Sequence, residues 1–180
     1  MSLAVVAVVA SAAAGNTDRL VGQVLAAAAG EGAATTTIHL GHGPLDPAPL
    51  EGQLERLAAA DAIVLGTPMY RATYAGVLKD FLDRVPRGRP AEGFAGPLRA
   101  KPVGVVATGA SDHHFLGLDP LLTLLVRFFG AFVVPPAVYG SPAGVAGGLE
   151  DEAARLGRAL VALGEAVRAD RRLGETRPQV

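Results

Sequence analysis

Residues 3–10 read LAVVAVVA, an apolar run with no polar break. A strand with one wet face alternates apolar and polar side chains. A run without alternation belongs to a strand covered on both faces, as in a parallel sheet between two helical layers. Four further segments carry strand character: residues 35–40, 62–66 and 103–107, and a piece within 132–139. Between them apolar residues recur at helical spacing. Leu20, Val24 and Ala28 mark a helix over 17–29, and Leu50, Leu54 and Leu57 mark a second. Leu78, Leu82 and Val85 stripe a third over 75–85, and residues 121–130 form a fourth. Leu149, Leu156, Leu160, Leu163 and Val167 line one face of a fifth. Five strands alternating with five helices predict an α/β fold, a doubly wound parallel sheet with helices on both faces. Of the two common strand orders, 2-1-3-4-5 suits five strands. One domain is expected over residues 1–172, with a loose polar tail over 173–180.

The first run also looks like the apolar part of a signal peptide. No Lys or Arg precedes it, and its length falls short of a bilayer span. A buried first strand explains it, so a cytoplasmic chain that does not enter a membrane is expected. The net charge of −1 supplies no basic field for nucleic acid or an anionic lipid surface. Cysteine is absent, which excludes disulfides, thiolate metal ligands and a thiol nucleophile.

Doubly wound folds bind ligands beyond the carboxyl ends of the strands, near the reversal of strand order. The loops to inspect therefore follow strands 1, 3 and 4, and read SAAAGNT, TPMYRATYAG and TGASDHHFLGLD. In the first, Ser11, Asn16 and Thr17 offer short polar side chains ahead of a helix whose free N–H groups suit an anion. Neither the phosphate loop ending in Gly-Lys-Ser/Thr nor G-x-G-x-x-G is present there. Asn16 or Thr17 as a plain N-cap is the alternative. In the second loop Pro68 sets the chain direction and Met69 and Tyr70 are soft or flat. Thr67 and Thr73 bring hydroxyls, and Gly76 permits close approach. A flat tricyclic ring with polar edges needs that mixture; a packed Tyr–Met pair is the alternative. The third loop holds Asp112, His113 and His114 without the helical spacing of a metal site, and Asp119-Pro120 reads as a helix start. Residues 86–100, PRGRPAEGFAGPLRA, read as a long Pro/Gly-rich loop.

GTPMYRATYAGVLKDFLDRV followed by KPVGVVATGASDHHFLGLDPLL resembles the NADPH-dependent FMN reductase family, in particular reductases that feed two-component flavin monooxygenases such as those of alkanesulfonate metabolism. Thr67, Pro68, Tyr70, Thr73, Gly76, Leu78, Lys79, Leu82 and Asp83 fit one family stretch. Ala107, Thr108, Gly109, His114 and Asp119 fit another, with Ala110 where a second Gly is usual. The resemblance spans about residues 1–140. It implies a flavodoxin-like fold, FMN with NADPH or NADH, and no side chain acting as acid or base. Ser11, Asn16 and Thr17 would hold the phosphate. Pro68, Met69 and Tyr70 would line the ring, Thr108, Gly109 and Ser111 would meet its polar edge, and Thr67, Thr73 and His114 would also bind the cofactor. Ala12 and Ala13 replace a Pro-Arg pair usual in the first loop, so the phosphate relies on amides and small side chains. Pro120 stands where some members carry Tyr. Arg71, Arg84, Arg87 and Arg89 are candidates for a coenzyme 2′-phosphate.

The implied partners are a flavin-dependent monooxygenase and a second copy of the chain. PLLTLLVRFFGAF is apolar nearly all round, with Arg127 its single charge. That predicts a homodimer or tetramer burying the helix twice; a helix covered by the last one is the alternative. Rival functions on the same fold are a quinone, azo or metal-ion reductase with bound FMN, an electron carrier, and a scaffold without catalysis.

Overall fold

A computed structural model describes residues 2–11, 13–41, 43–89, 94–141, 149–170 and 172–173. The tail expected over 173–180 lies, beyond Leu173, outside the described residues, as do residues 90–93 of the Pro/Gly-rich segment.

The central strand β1 (Ala4–Val9) pairs in parallel with β2 (Ala34–His39) on one side and β3 (Ala62–Tyr70) on the other. Beyond β3 comes β7 (Pro102–Thr108), also parallel. The outermost position is shared by two short parallel pieces, β8 (Phe132–Val133) and β9 (Val138–Gly140). The order is the expected 2-1-3-4-5, with β7 as the fourth strand and the β8/β9 pair as the fifth.

The unbroken run in β1 has its physical reason in two cores. Val6 and Val8 face one layer with Ile63, Leu65, Val103 and Val105. There they meet Leu57 of α2 (Leu50–Ala59), Phe81 of α3 (Gly76–Arg84) and Leu121 of α4 (Asp119–Thr123). Val5, Ala7 and Val9 face the opposite layer with Val64 and Val106. They pack on Leu20 and Val24 of α1 (Asn16–Gly30) and Leu156 and Leu160 of the last helix, α5 (Glu150–Ala169). Because successive strand residues point to opposite faces, both sets must be apolar when both faces are covered. At the sheet edge, β2 can carry three Thr, of which the first two are exposed.

Three expectations change in detail. β3 does not stop at Gly66 but continues to Tyr70, then turns and pairs with β4 (Thr73–Tyr74). The fifth strand is two pieces, separated by a stretch holding the cis Pro135–Pro136 bond. The fourth helix starts at Asp119, continuous with a 3-10 segment (Asp112–Leu118), and widens into a π-helical turn (Leu124–Phe129). Gly130 in the left-handed region closes that turn, with a φ of 68°. Within the Pro/Gly-rich segment, β5 (Gly88–Arg89) pairs with β6 (Phe94–Ala95). Among the described residues no helix is long and apolar enough to cross a membrane.

Candidate functional site

The strand register brings three chain ends to one level. Val9 lies beside Gly66, and Thr67 and Pro68 lie beside Ala107 and Thr108. Ala10 N–H bonds to the Gly66 carbonyl at 2.8 Å, carrying that alignment into the first loop. Thr108 in turn lies beside Gly140 at the end of β9.

After β1, Ser11 is buried and has a partner of its own. Gly15 takes the N-cap position of α1 with no side-chain cap, so the alternative of Asn16 or Thr17 as a plain N-cap does not hold. The first-turn amides therefore keep their capacity for an outside acceptor. Asn16 is exposed, whereas Thr17 is 2% exposed. The Thr17 and Thr108 hydroxyl oxygens lie 2.6 Å apart, within hydrogen-bond reach. Asp18 turns back on the loop: one carboxylate oxygen accepts the Ala14 N–H at 2.8 Å and the other meets His39 Nε2 at 2.7 Å. The His39 hydrogen bond, more than any other influence, holds the Asp18 carboxyl below the usual range. Ala14, whose N–H the Asp18 carboxylate accepts, lies in the left-handed region at a φ of 64°.

The second segment is a hairpin rather than a wandering loop. Arg71 and Ala72 form its two-residue turn, with φ of 52° and 60°. Such turns favour Asn-Gly, because other side chains disfavour that backbone region. The neighbouring 3-10 segment supports the turn: a Cβ added at Gly117 would overlap the Ala72 carbonyl. Thr67 is buried and structural, its hydroxyl accepting Ala75 N–H at 3.0 Å and donating to the Pro68 carbonyl at 3.0 Å. Met69 is buried, while Pro68 is half-buried and Tyr70 is 54% exposed. Alternation along the strand thus turns Pro68 and Tyr70 away from the core side that Met69 takes. Thr73 is exposed.

The third loop leans on Tyr139, which the sequence marks only as the end of a strand. Its hydroxyl donates to the Ser111 carbonyl at 2.6 Å, and its ring meets Phe115 edge-on with centroids 6.0 Å apart. Burial and the nearby Asp112 charge raise its pKa. Gly109 lies beneath it: a Cβ there would overlap the Tyr139 hydroxyl. Gly109 N–H is fixed by the Gly140 carbonyl at 2.9 Å. Ser111 is exposed, and His114 Nδ1 is buried without a hydrogen-bond partner. An aromatic at the carboxyl end of the outer strand was the signal available for Tyr139, since that is where such sheets build sites.

The structure thus gathers Thr17, Pro68 and Thr108 at the strand ends, with Gly109, Ser111 and His114 in the adjoining loop. Of the arginines considered for a coenzyme phosphate, Arg84 pairs with Asp80 at 3.1 Å and Arg87 lies over the Phe128 ring at 5.0 Å. The Arg89 side chain lies outside the described residues; Arg71 stands on the exposed hairpin turn beside Tyr70. Among the described residues no group of three or more His, Asp or Glu is placed to share a metal ion.

Known proteins resemble this chain in sequence and in fold. The chain is 35% identical over 97 residues to the NADH-dependent FMN reductase SfnF of Pseudomonas fluorescens (strain Pf0-1), covering 54% of this chain and 48% of that protein. It is 35% identical over 97 residues to an FMN reductase (NADPH) of Pseudomonas aeruginosa, covering 54% and 48%. These matches span about half the length of the curated relatives. The apo crystal structure of the NADH:FMN oxidoreductase EMOB superposes with a TM-score of 0.74 at 25% identity, covering 98% of each chain. Residues 3–145 match the family described as NADPH-dependent FMN reductase, and the chain belongs to that family.

Proposed function

We propose that this chain is an NAD(P)H-dependent FMN reductase that releases reduced flavin to a partner monooxygenase. The observation that carries it is the meeting, at the ends of β1, β3 and β7, of an uncapped helix start, the Thr17–Thr108 hydroxyl pair and the Tyr139-held loop. The residues present suit FMN. The α1 amides offer donors for an anionic end, and Pro68 and Tyr70 offer a flat apolar wall. His114 Nδ1 is a buried polar atom without a hydrogen-bond partner.

When bound, FMN accepts a hydride from the reduced nicotinamide. The chain's own residues position the reactants. Pro68 and Tyr70 bear on the ring, with Met69 and Thr67 holding that wall from behind. Thr73 adds a hydroxyl beside Tyr70. Thr108, Gly109 and Ser111 present backbone and hydroxyl groups to the ring's polar edge, and His114 backs that loop. Asn16 and the first-turn amides face the phosphate, with Ser11 and Thr17 beneath. Arg71 on the hairpin turn is placed to meet a coenzyme phosphate.

Free exchange of flavin is supported by the exposure of the site's apolar lip: Tyr70 is 54% and Leu116 69% exposed. A diffusing product suits delivery to a flavin-dependent monooxygenase, the outlet that the family resemblance implies. Self-assembly fits as well. α4 and its π-helical turn lie on one face of the sheet and α5 on the other, so the last helix does not cover them. Val126 and Phe128 stand exposed there, beside a groove of about 580 Å³ lined by Pro120, Thr123, Leu124 and Arg127. A second copy of the chain is the proposed cover.

The test is steady-state oxidation of NADH and of NADPH by the purified chain in the presence and absence of added FMN. Multiple turnovers that depend on free FMN support the proposal. Coenzyme oxidation indifferent to FMN, or none at all, contradicts it.

A further inference from the structure

The phosphate end of the proposed flavin site is leaner than its loop sequence suggests, and it holds a negative charge. Of the three side chains available there, Thr17 is buried with its hydroxyl within bonding reach of Thr108, and Ser11 is buried with a partner of its own. Only Asn16 is exposed. Residues 11–17 include no Lys or Arg.

Asp18 then works against an anion in two ways. Its carboxylate takes the Ala14 N–H, one of the amides that the loop could otherwise turn toward a phosphate. It also places a full negative charge in the first turn of α1, where the helix dipole supplies only about half a positive charge. His39, at the end of β2, sits 2.7 Å from the other carboxylate oxygen and offsets part of that charge. The carboxylate cannot swing clear, because both of its oxygens are held.

We propose that Asp18, clamped between the Ala14 N–H and His39, leaves the phosphate end of the site close to electrically neutral, so that the protein reduces riboflavin and FMN with similar efficiency and selects flavins by their ring. This rests on the flavin-reductase reading above. The reduction moves two electrons and one proton, as hydride, from the nicotinamide to the flavin ring, leaving oxidised coenzyme and reduced flavin. The phosphate takes no part in it, so the phosphate acts through binding alone.

The experiment measures kcat/KM for riboflavin and FMN with the full chain and one coenzyme. The wild-type ratio is expected within about fivefold of unity, and it should change less than about twofold between low and high salt, since a neutral end leaves little charge to screen. Asp18→Asn removes the charge while keeping an oxygen for Ala14, and should raise the FMN-to-riboflavin ratio about fivefold or more. His39→Leu uncovers the carboxylate and should lower the same ratio. A loop that merely lost its shape would depress both flavins and move neither ratio in these opposite directions. An FMN preference above about fiftyfold that falls steeply with salt, as a cation such as the neighbouring Arg19 on the phosphate would give, overturns the inference. A ratio untouched by Asp18→Asn overturns it as well. Failure to reduce either flavin is a different outcome, and it would remove the reductase reading itself.

Discussion

The hydroxyl oxygens of Thr17 and Thr108 lie 2.6 Å apart and bridge the start of α1 to the end of β7. Two of the three segments of the candidate site are joined by this one contact. Replacing either residue by Val leaves a hydroxyl without its partner, at a cost of about 1–2 kcal/mol. The double variant Thr17→Val/Thr108→Val should cost less than the two single changes together. Urea unfolding of the four proteins should show a coupling of about 1 kcal/mol. Additive losses would mean that the hydroxyls do not support each other.

Tyr139 joins the candidate site through the Ser111 carbonyl. Tyr139→Phe keeps the ring against Phe115 and loses the bond to the Ser111 carbonyl. The expected result is a stability loss of about 1 kcal/mol, with the flavin KM rising several-fold more than the coenzyme KM. Gly109→Ala should cost about 2 kcal/mol by overpacking against the same hydroxyl, and part of that loss should return in the Tyr139→Phe background. Thermal melts and flavin titrations of the single and double variants read both effects.

The Arg71–Ala72 turn holds two non-glycine residues in the left-handed region. Left-handed backbone costs L-residues roughly 1–2 kcal/mol each. Changing the pair to Asn-Gly should therefore raise the melting temperature by a few degrees, on the order of 2–4 °C per kcal/mol for a chain of this size. If Arg71 also meets a coenzyme phosphate, the same variant should lose its preference for the phosphorylated coenzyme. Parallel NADPH and NADH kinetics separate the two effects. An unchanged melting temperature would show that the turn carries no strain.

Lys101 gives the protein a pH signature away from the site. Its ammonium donates to the carbonyls of Leu57 at 3.1 Å and Ala58 at 2.5 Å, at the end of α2. Burial nevertheless pulls its pKa down to about 8, against an ordinary 10.5, with the Asp61 charge opposing. Between these values the unfolded chain holds a proton that the native one has released. Native stability therefore rises with pH from about 8 toward 10 and gains nothing from this group below 8. Lys101→Met should lack that slope. Urea midpoints for both proteins across the window check it, and parallel curves would contradict it.

Asp18 produces a slope of the same sign in acid. Its carboxyl is depressed below 3.8 in the native state, so its contribution is present above that value and fades as pH falls through the native pKa. Asp18→Asn should flatten the acid limb of the stability curve, measured by thermal melts at descending pH. An acid limb as steep as wild type would show that the His39 pair contributes nothing to folding.

The fold was legible because burial on two faces leaves a plain mark. Val5 to Val9 must all be apolar when alternate members enter opposite cores, and no helix or half-exposed strand imposes that run. The turn at Arg71 and Ala72 left no such mark. Asn-Gly announces a tight hairpin, whereas Arg-Ala does not, and the Ala72 carbonyl packs against Gly117, forty-odd positions away. The π-helical turn from Leu124 was equally silent, since its apolar pattern differs little from that of an α-helix. At the candidate site, residue types pointed to Pro68, Tyr70, Thr108 and Gly109 but not to how packing would set them. Thr67 and Thr17 carry hydroxyls suited to a ligand, yet packing turns Thr67 to Ala75 and Thr17 to Thr108. Tyr139 was missed because its role depends on β9 lying beside β7, a long-range pairing that local sequence does not encode.

The central claim is that the protein turns over free flavin by hydride transfer from a nicotinamide. The most direct measurement is anaerobic: a catalytic amount of protein, excess FMN and excess NADH or NADPH, followed at the flavin and nicotinamide absorption bands. The account predicts bleaching of many equivalents of FMN per protein, matched one for one by coenzyme oxidised. Bleaching that stops at one equivalent, or that never begins while FMN remains bound, would contradict it.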